Sequence, residues 1–236
     1  MSGYIDKFLA WYVHPRPSRP QIFLHHHYHI SYGAKIQQPA APDSCPPLDE
    51  DGIKYVEGIV GTLLWYVRAV DKKLLVALKS IGHKQDASTK ADTEANHQFL
   101  DYVDMYPNNI FTHRGSNMVL AGQYDAGYLN ENCACSRAGA HTLLSEDYRM
   151  PLHNGPIITI AKIIKFVMSS ATKSKVAAVL FATKKMSPLH QKHVELRWTQ
   201  PPSTLQTENS TAAGVTNITI LTCQTKGIYM QFYWLR

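Results

Sequence analysis

At 236 residues and 26.6 kDa the chain is long enough to bury a sizeable core, as one large domain or two small ones. Hydrophobic residues make up 44% and charged residues 18%, which argues against disorder by composition and against a membrane protein. The net charge is +6 with twelve histidines counted as neutral, so a polyanionic partner enters consideration at once.

Apolar runs such as Val176 to Ala182 fall far short of the roughly 20 residues that a bilayer span requires. The opening MSGYIDKF carries an acid and no apolar h-region, so an intracellular chain, cytoplasmic or nuclear and not secreted, is expected. Cys45 and Cys223 stand alone, and one residue separates Cys133 from Cys135. That is neither a disulfide framework nor zinc-finger spacing, and free thiols in a reducing compartment are expected.

The charge is unevenly placed. Residues 1 to 116 hold 12 Lys and Arg against 12 Asp and Glu, and the remainder holds 12 against 6, so all of the excess lies downstream of Arg114. Such asymmetry suggests two modules, with the basic one facing a polyanion.

In chain order, residues 1–48 read as a connector. His14-Pro15-Arg16-Pro17-Ser18-Arg19-Pro20 cannot continue a helix, and Gln38 to Pro47 repeats the Pro-rich texture. His25-His26-His27-Tyr28-His29 between them has no accompanying carboxylate or thiol, which favours a His-rich linker over a metal tract.

Residues 49–107 read as three amphipathic helices. The first opens at Asp49-Glu50-Asp51 and runs to about Ala69, with Ile53, Val56, Val60, Leu63, Leu64 and Val67 at helical spacing. The second has Asp71 as N-cap, places Leu74, Leu75, Leu78 and Ile81 on one face and stops near Gly82. The third spans about Lys90 to Tyr106, with Ala95, Phe99, Tyr102, Val103 and Tyr106 inward and Pro107 beyond its end.

From residue 108 the period becomes strand-like. Met118–Tyr124, Ala138–Ser145 and Ile157–Ile164 read as three strands of an antiparallel meander. A helix over Ser169–Met186, a short helix from Pro188 to about Leu196, a strand over Thr204–Thr207 and an amphipathic stretch from Gln224 follow. The order predicts an α/β (α+β) fold: a small helical bundle, then a mixed sheet with flanking helices.

Asp125 stands at the end of the first strand, beside a tight Asp-Ala-Gly turn, a place where α/β folds put metal ligands and also where turns use Asp. Its context carries a resemblance. YVEGIVGTLLWYVRAVDKKLLVALKSIG, MVLAGQYDAGYL, SRAGAHTLLS, GPIITIAKIIKFVMSS and QTENSTAAGV resemble, in order, the end of the Pol polyprotein of copia-type retrotransposons. GYIDKFLAWYVHPRPSRPQ and YGAKIQ are similar to the reverse transcriptase tail and its connector, residues 49–107 to the thumb, and residues 108–236 to a ribonuclease H domain that ends before its relatives do.

That resemblance implies four acids holding two magnesium or manganese ions, which cut the RNA strand of an RNA–DNA hybrid. Asp125 matches the first acid. Lys175, in Ser169-Ser170-Ala171-Thr172-Lys173-Ser174-Lys175, occupies the position of the second, a Glu in an SSAEAE-like stretch. Glu208, in Thr207-Glu208-Asn209-Ser210-Thr211-Ala212, stands where a TDNSTA-like motif has Asp, and Tyr229 stands at the fourth.

The four positions sum to −1 where the full set would carry −4, so metal-dependent cleavage is expected to be impaired or absent. The family's paired-aspartate polymerase motif is not in this sequence. The other reading is a module kept for nucleic-acid contacts or a decayed remnant, with Lys162, Lys165, Lys173, Lys175, Lys184, Lys185, Lys192 and Arg197 as the basic surface, or simply as solvated helix faces.

Weaker signals remain. Asn209-Ser210-Thr211 and Asn217-Ile218-Thr219 fit the glycosylation pattern but lack a secretory context, and no Gly-x-Ser-x-Gly elbow occurs. Tyr229, Phe232, Tyr233 and Trp234 read as helix core more than as a base-stacking platform.

Overall fold

The computed structural model describes residues 3–25, 43–84, 87–131, 135–146 and 154–217. Tyr229 and the stretch from Gln224 lie outside the described residues, as do Cys133, Cys223 and most of the His-rich run. The chain is mixed α/β and divides into two compact units, Met1–His29 with Ala41–Phe111, and Ile30–Ala40 with Thr112–Arg236.

The first unit is helical: α1 (Tyr4–Trp11), α2 (Glu50–Ala69), a 3₁₀ turn (Lys72–Leu74) leading into α3 (Leu75–Ile81), and α4 (Lys90–Met105). The starts form for local reasons. Asp49 accepts a hydrogen bond from the Gly52 N–H, Asp71 accepts from Lys73, and Thr89 forms a reciprocal capping box with Asp92. Ile59, Leu63, Leu78, Phe99 and Leu100 are fully buried between the helices.

Three features of this unit depart from expectation. The first segment is no mere connector, because α1 buries Ile5, Phe8 and Leu9. Residues just before α2 are also tied down: the Leu48 N–H donates to the Ser88 carbonyl at 3.0 Å, and the Thr89 hydroxyl donates to Asp43 at 2.7 Å. On α4 the buried face includes Asn96 and Leu100, while Tyr106 lies beyond the helix end and is exposed.

The second unit has a four-stranded sheet in the order β3-β2-β1-β4, from β1 (Val119–Gly127), β2 (Ser136–Ser145), β3 (Ile158–Ile164) and β4 (Thr204–Gln206). The first three strands form the antiparallel meander, and β4 runs parallel to β1. Helix α5 (Ala171–Glu195) packs its alanines and valines on the small residues of β1 and β2 around Tyr124, Ala126, Ala138 and Ala140, and α6 (Ser210–Thr216) packs Ala212 and Val215 on Val176.

Pro188 does not divide α5 into two helices. Ser187 and Pro188 are both exposed, so the hydrogen bond that proline removes lies on the solvent side of the helix, just past Met186, the last buried residue of α5. Asp125 is likewise not at the strand's last position, since β1 continues through Gly127.

Candidate functional site

The site sits in the second unit and is built by strand parity. The β1/β4 register pairs Gln123 with Gln206, whose side chains hydrogen-bond at 3.1 Å. Asp125 lies two residues further along β1, on the same face as Gln123, and Glu208 lies two residues past Gln206 in the bend that follows β4. Their carboxylates are therefore brought side by side from positions far apart in sequence.

The third member comes from α5. Ser170 caps this helix by accepting from the Lys173 N–H at 3.2 Å, and the Ser174 hydroxyl meets the Ser136 hydroxyl at the start of β2 at 3.1 Å. These contacts fix the first turn against the sheet, so that Lys175 projects between the two acids. Its Nζ lies 2.7 Å from Asp125 Oδ1 and 2.8 Å from Glu208 Oε1. Asn209 opens α6 immediately after Glu208, accepting from the Ala212 N–H at 2.7 Å, and so holds the glutamate's backbone in place.

Burial is unequal. The Lys175 side chain is 11% exposed, against 58% for Asp125 and 76% for Glu208. Burial pulls the Lys175 pKa down, but hydrogen bonds and charge attraction from Asp125 and Glu208 outweigh it and hold the pKa above its ordinary value. Lys175 is thus a firmly charged ammonium. Beside it, burial raises the hydroxyl pKa of Tyr124, partly offset by a hydrogen bond from Thr207 and by the Lys175 charge.

This donor set does not fit a divalent cation. An ammonium has three N–H donors and no lone pair, and it stands between the two carboxylates that a metal would have to share. Among the described residues no group of three or more His, Cys, Asp and Glu side chains is placed to hold a metal ion. The three described positions of the expected acidic tetrad do meet at one point, but as a salt-bridged triad.

The basic residues are more dispersed. Lys162 of β3 places its Nζ 4.4 Å from the centre of the Phe181 ring on α5, Lys192 pairs with Glu195 at 2.7 Å, and Lys173 is half-buried in the first turn. Lys165, Lys184, Lys185 and Arg197 are exposed. At about 100° per residue, Lys173 and Lys184 share one stripe of α5, and Lys185 and Lys192 share another.

Sequence reasoning missed a second polar cluster. Thr183, Met186, His190, Ser203 and Leu205 border a pocket of about 260 Å³, with His190 Nδ1 2.9 Å from the Ser203 hydroxyl. His190 is fifteen residues along α5 from Lys175, or about 22 Å, so this pocket is separate from the triad. Nothing in the sequence marks the pair, because the contact depends on where the β4 approach crosses α5.

No family model matches the chain, and no curated protein matches it. No helix among the described residues is long and apolar enough to cross a membrane.

Proposed function

We propose that residues from about 108 form a ribonuclease H-like domain of a copia-type retrotransposon Pol polyprotein, whose metal centre has been replaced by a salt bridge. In this reading the domain engages RNA–DNA hybrid without cutting it. One observation carries the reading: the residues at three positions named from the resemblance, Asp125, Lys175 and Glu208, converge within hydrogen-bond distance of one another's charged atoms. The mixed sheet, with an antiparallel meander followed by a parallel fourth strand, supports it.

The chemistry follows from the charges. Two unit charges 4 Å apart interact by about 4 kcal/mol at an effective dielectric of 20, so the Lys175 ammonium repels a divalent cation there by roughly twice that. The ammonium already neutralises one of the two carboxylates. What remains for a polyanionic hybrid is the basic excess of this half of the chain, with Lys165 and Lys185 exposed and Lys162 held against Phe181.

A labelled RNA–DNA hybrid incubated with the full chain in magnesium or manganese is expected to stay intact. Binding of the same hybrid is expected at low salt and to fall steeply as salt rises. Robust metal-dependent cutting would overturn the loss of the metal centre, and absence of binding at low salt would overturn the hybrid as ligand.

A further inference from the structure

The first unit carries an open groove of about 360 Å³ between α1 and α2, bordered by Tyr4, Lys7, Phe8, Trp11, Tyr12 and Thr62. Tyr4, Phe8 and Trp11 follow the i, i+4, i+7 spacing of one helix stripe, and Trp11 is 83% exposed at its end. The Trp indole N–H and the Lys ammonium can only donate hydrogen bonds. Such a lining suits an apolar strand that offers carbonyl acceptors and few N–H donors, which is the description of a polyproline-II segment.

The chain carries a sequence suited to that conformation. Pro15-Arg16-Pro17-Ser18-Arg19-Pro20 follows α1, and at three residues per turn Pro17 and Pro20 share one edge of a polyproline-II strand while Arg16 and Arg19 share the next. Arg16, Ser18, Arg19 and Pro20 are exposed. The backbone bends at Ser18 and Arg19, but no backbone N–H from 15 to 25 donates to a described backbone carbonyl, so straightening breaks no such bond.

Charge sets the orientation. Both the Tyr4 and the Tyr12 hydroxyls reach Thr62, but the Tyr4 ring packs on Trp65 and Tyr66 and the Tyr12 ring on Tyr55, so α1 runs antiparallel to α2 and the Tyr12 end of the groove points to the start of α2. Asp49, Glu50 and Asp51 stand there, with Asp51 four residues, about one turn, from Tyr55. Lys54 lies 3.9 Å from Glu50 and 3.8 Å from Asp51, leaving a net charge of −2 to face the two arginines.

The strand is held away from its own groove. His14 at its start bonds Asp101 at 2.8 Å, and the Phe23 carbonyl beyond it accepts from Gln98 at 3.2 Å, both partners being on α4. We propose that the Pro15–Pro20 strand of one copy docks in the α1/α2 groove of a second copy, with the prolines against Trp11 and Tyr12 and the arginines toward the acidic start of α2.

A synthetic peptide of residues 13–22 titrated into the full chain, followed by tryptophan fluorescence, is expected to give a saturable change. Trp11→Ala in the protein, at a side chain too exposed to endanger the fold, and Pro17→Ala with Pro20→Ala in the peptide, are each expected to weaken binding about tenfold or more. The full chain is expected to sediment as a concentration-dependent dimer, less so with Arg16→Glu and Arg19→Glu. An unsaturable titration, or equal affinity with either substitution, overturns the groove as receptor. A chain that stays monomeric well above the peptide's dissociation constant overturns the second copy as occupant.

Discussion

Among the described residues each unit buries one lysine to nearly the same degree, Lys72 at 8% exposure in the first and Lys175 at 9% in the second, yet the two respond oppositely. Burial pushes the Lys72 pKa down, and its ammonium lies 5.9 Å from the centre of the Phe111 ring. Lys175 is also penalised by burial, but two carboxylates within 2.8 Å overcome the penalty and raise its pKa. The direction is set by what faces the charge and not by depth. The same comparison separates a lysine whose charge burial works against from one whose charge two carboxylates hold.

The strongest way to break the contrast is to invert Lys175. Lys175→Glu with Glu208→Asp places three carboxylates together, and without divalent ions the second unit is expected to lose about 2 kcal/mol of stability through like-charge repulsion and the lost bridges. Millimolar magnesium or manganese is expected to restore the melting temperature of this variant, because a ligand bound only by the folded state stabilises by mass action. The unaltered chain is expected to show no such response. Equal metal-dependent shifts in both proteins would mean that Lys175 does not occupy the cation's place.

Much of the scaffold behind this comparison was legible from spacing. Helices α2 to α4 carry their buried residues at helical period, Asp49, Thr89 and, through the 3₁₀ turn before α3, Asp71 cap their starts, and the meander shows β-branched runs between turns. Helix α1 was hidden because eight residues followed by a proline-rich run carry too little periodicity, and its burial depends on α2 and α4. Pro188 reads as a helix start in the sequence, whereas its solvent-facing position, which lets α5 run through it, is a tertiary fact.

At the site, the resemblance pointed to Asp125, Lys175 and Glu208 one by one. Their meeting depends on a three-residue parallel register between β1 and β4, and a short strand's register is not written in its own residues. Charge counting on the sequence cast Lys175 only as an opponent of metal. The geometry adds that it is also the hydrogen-bond partner of both remaining acids.

A smaller effect is expected from neutral replacements. Lys175→Met is expected to cost about 1 kcal/mol, held to that size because Asp125 and Glu208 are well exposed and keep their own hydration. Lys72→Met is expected to cost less than Lys175→Met, since burial already works against the Lys72 charge and the methionine keeps most of the stem's packing. Urea unfolding followed by hydrogen exchange in each unit separates the two, and a greater loss from Lys72→Met would reverse the comparison.

The smallest effect is alkaline and has opposite signs in the two units. A raised folded pKa means that Lys175 contributes its full stabilisation below the ordinary lysine value of about 10.4 and loses it as pH climbs through the higher folded value. For Lys72 the folded pKa is the lower one, so between it and about 10.4 the unfolded chain binds more protons and stability rises with pH. From pH 9 upward, the gap between the unaltered chain and Lys175→Met is therefore expected to hold to about 10.4 and only then to narrow, while the penalty relieved by Lys72→Met shrinks. Unit-resolved hydrogen exchange across that range reads both curves. If they moved in the same direction, burial alone would govern both lysines and the carboxylates around Lys175 would be bystanders.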